Sequence, residues 1–183
     1  MLNKDFHAVL QKEVFQALAR CADNLSLESY LVGGFVRDHI LGGVKAKDID
    51  VVTVGSGIEL AKAVQKQLPG TQAVQQFKSY GTAMVKWRDI CLEFVGARKE
   101  SYSKNSRNPK VTQGTLEDDQ NRRDFTINAL AVSLNRKDKG TLIDPFNGLD
   151  DLQNGIIRTP LEPTVTYSDD PLRMLRAIRF ATQ

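Results

Sequence analysis

Residues 31–52 read LVGGFVRDHILGGVKAKDIDVV. A short β-forming run, Ser29-Tyr30-Leu31-Val32, meets Gly33-Gly34, and a short helical piece over 35–41 follows until Gly42-Gly43 ends it. Residues 48–54 are rich in β-branched side chains and are bounded by Gly55, which predicts a strand. Asp48 and Asp50 are two residues apart on that strand, so both side chains leave the same face, about 6.6 Å apart along the chain. Carboxylates this close repel each other. A divalent cation removes the conflict, and oxygen ligands together with phosphate are what Mg²⁺ prefers. An edge strand with both aspartates in water satisfies the same pattern. At Gly33-Gly34 the missing Cβ atoms let a phosphate approach backbone N–H groups, and Arg37, one turn on, can fork onto the same anion. A tight turn with an exposed arginine fits equally well. The stretch is neither G-x-G-x-x-G nor a Walker loop, because no Gly-Lys-Ser/Thr follows.

Outward from this stretch, apolar spacing predicts helices over 5–22 and 58–68, the second stopping at Pro69-Gly70. Strands are predicted over 72–77, 82–87 and 90–95. In the last of these Glu93 sits between large apolar residues and needs a partner, which a neighbouring strand carrying Asp48 and Asp50 around a metal would supply. The other reading turns Glu93 to solvent, opposite Leu92 and Phe94. Over 99–120 the apolar content falls to Tyr102, Val111 and Leu116, which predicts a long mobile functional loop.

A helix is predicted over 125–134, placing Arg122 and Arg123 at its start, where two cations oppose the dipole unless an anion or acidic partner is present. Ser168-Asp169-Asp170-Pro171 starts a final helix that reaches Gln183 with no closing residue, as expected of a chain that continues. On it Arg173, Arg176 and Arg179 recur beside a stripe of Leu172, Leu175 and Ile178. The cationic face suits a triphosphate or an RNA backbone, or it is a solvated face paired with Asp169 and Asp170.

The bulk composition excludes several classes. The chain has 183 residues, 41% hydrophobic and 26% charged, enough for a packed core rather than a disordered tail. No apolar run approaches the ~18–20 residues of a membrane span, and the polar N-terminus is unlike a signal peptide. Cys21 and Cys91 have no Cys or His at zinc spacing, so reduced thiols in a cytoplasmic protein are expected. A net charge of +3 identifies no partner by itself.

Four blocks in order, 31–52, RRDFTINALA (122–131), DPFNGLDDLQNGIIRT (144–159) and DDPLRMLRAIRFA (169–181), resemble those of the bacterial tRNA CCA-adding enzyme and poly(A) polymerase family, in the class II branch of the polymerase-β-like nucleotidyltransferases. The resemblance implies an α+β head with a mixed β-sheet and flanking helices over 1–150, then the end of the head and the start of a helical neck over 151–183. It implies addition of CMP and AMP, from CTP and ATP, to the 3′ end of tRNA with Mg²⁺, releasing pyrophosphate. The partners it implies are the tRNA 3′ end and these nucleotides, not a membrane, and it fixes no oligomeric state. By position, Asp48 and Asp50 match the metal-binding aspartates. Gly34 and Arg37, with Gly33 beside them, match the triphosphate-binding turn. Arg123 matches a nucleotide-contacting arginine, and Asp170, Arg173, Arg176 and Arg179 match the nucleotide-binding stretch entering the neck. Glu93 falls where the fold places its third acid. In this family base selection and tRNA grip lie beyond the position of Gln183. A poly(A) polymerase, a CC-only or A-only adding enzyme on the same head, and a non-catalytic RNA- or nucleotide-binding module are the alternatives.

Overall fold

The two strands of the quoted stretch lie at the centre of the molecule. In this computed structural model, which describes residues 2, 5–43, 47–77, 81–101 and 110–182, β1 (Glu28–Val32) and β2 (Asp48–Val54) run antiparallel, with Val32 opposite Asp50. β5 (Ile90–Gly96) lies parallel to β2 on its other side, pairing Asp48 with Cys91 and Asp50 with Glu93. β4 (Thr82–Trp87) and β3 (Gln75–Phe77) extend the sheet beyond β5. β8 (Ala131–Ser133) and β9 (Leu142–Ile143) extend it beyond β1, giving the order β3-β4-β5-β2-β1-β8-β9. The sheet is therefore mixed, as expected. A parallel pair needs a crossover, and α4 (Gly57–Gln67) supplies it between β2 and the β3–β4–β5 meander. Its start is fixed by Ser56, whose hydroxyl accepts from the Glu59 N–H at 3.2 Å.

Strand alternation divides the residues between two faces. Leu31, Ile49, Val51, Leu92 and Phe94 join Leu18 of α2 (Glu13–Asn24) and Leu60 and Val64 of α4 in the main core. Each such side chain contributes about 1.5–3 kcal/mol on burial. Tyr30, Val32, Val52 and Ala131 form a smaller cluster on the second face, with Leu116 of α5 (Leu116–Asn121) packed against it. Asp48, Asp50, Cys91 and Glu93 have the register of this second face, at its uncovered end. β2 is central rather than an edge strand, so the edge-strand reading of the aspartates falls.

Several expected elements change. The helix over 5–22 divides into α1 (His7–Leu10) and α2, because Lys12 is extended (φ −63°, ψ 146°) and Gln16 Nε2 donates to the Leu10 carbonyl at 2.8 Å. The strand over 72–77 shortens to β3. The loop over 99–120 holds instead β6 (Arg98–Ser101), paired with β7 (Lys110–Gln113), and then α5; residues 102–109 lie outside the described residues. α5 starts with a capping box between Thr115 and Asp118. The helix over 125–134 is absent: a single 3₁₀ turn, Thr126–Asn128, leads into β8. Every residue from 124 to 135 is buried, so the run has no solvent face to impose a helical period. Thr126 also sends its N–H to the Arg158 carbonyl at 2.8 Å and its hydroxyl to Asp151 Oδ2 at 2.7 Å. α6 (Gly148–Asn154) and α7 (Pro163–Asp169) precede α8 (Leu172–Ala181), the predicted final helix, which buries none of its residues. Among the described residues no helix is long and apolar enough to cross a membrane.

Candidate active site

Gly33 closes β1 with φ +70° and ψ −141°, a backbone shape that favours glycine. A Cβ there would lie 3.0 Å from Asp50 Oδ2 and 3.2 Å from Arg123 Nη1. A bare stretch of backbone, a carboxylate and a guanidinium therefore meet at one point. At Gly34, the first residue of α3 (Gly34–Ile40), the nearest atom to such a Cβ is Arg37 Nη2 at 3.7 Å, an ordinary contact. Only the first glycine is demanded by its surroundings within the chain.

The arginines are held by groups that sequence spacing did not single out. Arg37 Nη1 donates to Asn128 Oδ1 at 2.7 Å, and its Nε donates to Asp38 Oδ1 at 2.8 Å. Arg123 sends Nε and Nη2 to Asp119 Oδ2 at 3.0 and 2.9 Å, and Nη1 to the Asn128 carbonyl at 3.2 Å. Arg122 Nε takes the other Asp119 oxygen at 3.0 Å. Arg122 is the C-cap of α5, so these cations sit at a helix end that favours them rather than at the start of the expected helix, and Asp119 is the acidic partner. The three- and four-residue spacing from Asp119 to the two arginines was the available signal.

On α8 the register also resolves. Asp170 Oδ1 accepts from the Leu172 N–H at 3.1 Å, at the start of the helix. Arg173 donates to the carbonyls of Arg122 at 2.6 Å and Thr166 at 3.2 Å. Arg176 Nε donates to Asp124 Oδ2 at 2.7 Å, and Arg179 lies over the Phe180 ring, 4.8 Å from its centroid. Asp124, the carbonyls of Arg122 and Thr166, and the Phe180 ring thus stand where Asp169 and Asp170 were the expected partners.

The charge balance on the second face is uneven. Burial pushes the Asp50 carboxyl above the usual range; Arg123 pulls against this, while Asp48 and Asp119 push the same way. The Glu93 residue is exposed, yet local desolvation of its carboxyl, then Asp50 and Asp48, raise it too. Hard oxygen donors that destabilise one another's charge fit a hard divalent cation. Among the described residues no three His, Cys, Asp or Glu side chains converge into a ready-made metal cage. Glu93 shares the register of the aspartates without closing such a cage with them.

A mixed sheet with an acidic pair on a central strand, set against a glycine turn and an arginine cluster, defines a polymerase-β-like nucleotidyltransferase head. Comparison with known proteins is more specific. The chain belongs to the family of poly A polymerase head domains, whose model matches residues 29–158. It is 48% identical over 155 residues to an A-adding tRNA nucleotidyltransferase of Aquifex aeolicus, covering 85% of this chain and 18% of that protein. It is 37% identical over 172 residues to an A-adding tRNA nucleotidyltransferase of Halalkalibacterium halodurans, covering 93% of this chain and 39% of that one. A solved CCA-adding enzyme in an apo form superposes with TM-score 0.84 at 37% identity, over 100% of this chain and 44% of that one. A tRNA nucleotidyltransferase complexed with a primer tRNA and an incoming ATP analog gives TM-score 0.77 at 42% identity, over 90% and 44%. The chain thus spans less than half of each of these relatives.

Proposed function

We propose that this chain is the catalytic head of a cytoplasmic enzyme that adds CMP and AMP, from CTP and ATP, to the 3′ end of tRNA. Residues 1–150 form the head, and 151–183 lead into a helical neck. One observation carries the reading: the Gly33 backbone, the Asp50 carboxylate and Arg123 lie together on the face that also bears Asp48. A triphosphate needs bare backbone and fixed guanidiniums, and a hydroxyl attacking it needs nearby carboxylates.

Asp48 and Asp50 are the residues to hold Mg²⁺, with Glu93 beside them. Mg²⁺ would suit two carboxylates, since it is a hard cation that takes its other ligands from water and phosphate oxygens. The chemistry that such a bound ion supplies is Lewis acidity, which lowers the pKa of the primer hydroxyl and neutralises phosphate charge. The Gly33-Gly34 turn and Arg37 bind the triphosphate, while Arg123, Arg173, Arg176 and Arg179 surround it with positive charge. Asp170 acts on the nucleotide through the start of α8. The primer 3′-hydroxyl gives up its proton to water, its oxygen bonds to the α-phosphorus, the bond to the bridging oxygen breaks, and pyrophosphate leaves with that electron pair. Positioning and charge neutralisation supply the acceleration, so no Ser or His nucleophile is required; His7 and His39 take no part.

The test is incubation of the protein with tRNA ending before CCA and tRNA ending in CC, with CTP and ATP singly and together. Extension by all three nucleotides supports the reading, and Asp48→Ala or Asp50→Ala abolishes it while leaving the melting temperature within a few degrees. Activity retained in both variants overturns the metal assignment. Addition of the terminal A alone is the second reading, favoured by the names of the two relatives above.

A further inference from the structure

α8 meets the rest of the molecule in an unusual way. Its Leu172, Leu175 and Ile178 are 64%, 64% and 65% exposed, whereas Phe180 sets its ring edge-on against Phe125, with centroids 5.8 Å apart. Around the Phe180 ring stand three guanidiniums from two elements. Arg37 of α3 is 4.9 Å from the centroid, Arg176 is 5.4 Å and Arg179 is 4.8 Å. All three are within the ~6 Å over which the ring quadrupole attracts a cation. Asp38 pairs with Arg37 and Asp124 with Arg176, while among the described residues no carboxylate pairs with Arg179. Asn128 joins the two sides, accepting from Arg37 and donating to Asp124 Oδ1 at 3.0 Å. Like charges gathered this closely repel, and the repulsion is relieved when a multiply charged anion shares them.

We propose that Phe180 is a positioning residue: its ring is the common seat that holds Arg37, Arg176 and Arg179 as one cationic group for the triphosphate of the incoming nucleotide. This rests on the nucleotidyl-transfer reading above, which assigns those arginines to the triphosphate. An aliphatic side chain of similar volume keeps the packing on Phe125 but has no quadrupole. The ring's role is then in the strength of phosphate binding rather than in the stability of the fold.

The experiment titrates the protein with ATP and with AMP in magnesium buffer, comparing wild type, Phe180→Leu and Phe180→Tyr, and records each melting temperature without nucleotide. The expected result is ATP binding weakened about three- to tenfold in Phe180→Leu. AMP binding changes less than twofold, the melting temperature stays within a few degrees, and Phe180→Tyr binds ATP like wild type. Unchanged ATP binding in Phe180→Leu overturns the inference, as does equal weakening in Phe180→Leu and Phe180→Tyr or an equal loss for AMP. Each of these outcomes leaves the nucleotidyl-transfer reading intact. A wild-type protein that binds no ATP overturns both.

Discussion

An alanine at Gly33 meets two separate obstacles. The backbone there has φ +70°, which costs a residue with a Cβ about 1–2 kcal/mol, and the added carbon presses on Asp50 Oδ2 from 3.0 Å. We expect Gly33→Ala to lower the melting temperature by about 2–8 °C and to weaken ATP binding, and Gly34→Ala to melt like wild type; thermal melts with and without ATP check both. Asp119 offers a second test. Burial works against its charge, yet Arg123 and Arg122 outweigh that and hold its pKa below the usual carboxylate range. Removing the charge leaves two partly buried guanidiniums without their anion, a loss of about 3–5 kcal/mol for Asp119→Asn. Because the folded pKa is the lower one, this stability is present above the unfolded value of about 3.9 and is lost as pH falls through the folded value. Urea unfolding from pH 6 to pH 3 therefore shows a constant gap between wild type and Asp119→Asn above about pH 5, closing below about pH 4.

At the scale of elements, α8 is held by Arg173, Arg176 and Phe180 rather than by its stripe of Leu172, Leu175 and Ile178. Replacing Leu175 and Ile178 together with Gln is expected to leave the melting temperature within about 2 °C, since neither side chain lies in the core. A fall of more than that shows that the stripe is covered in solution. Elements differ in how readable they were. β2 and β4 fall on the predicted residues, because β-branched runs bounded by Gly or by charged turns have few other ways to fold. The run over 125–134 misled because a segment buried on all sides loses its period. The loop over 99–120 misled because a hairpin and a six-residue helix need little apolar surface, although Thr115 and Asp118 carried the capping signal. In the site, glycines and aspartates were legible as local patterns. Asp119 carried a local signal in its spacing to Arg122 and Arg123, whereas Asn128 and Phe180 carried none, because their roles consist of distant contacts: Asn128 reaches Arg37 across 91 positions of sequence.

For the whole molecule, metal and nucleotide should stabilise each other's binding. A ligand present at about 100 times its dissociation constant adds about 2.7 kcal/mol to stability. We expect ATP with magnesium to raise the melting temperature by several degrees more than ATP with a chelator, and Asp50→Ala to remove that difference. An equal rise in wild type with and without the chelator contradicts a metal-assisted site.

The parallel pairing of β2 with β5 also bears on biosynthesis. Asp50 and Glu93 become neighbours only after the chain has gone out along one helix and back through a meander, so a ribosome-bound fragment ending before residue 96 has no complete β5 to dock. The acidic surface is thus complete in sequence by residue 96, and Arg123, which counters the Asp50 charge, arrives only with a later segment.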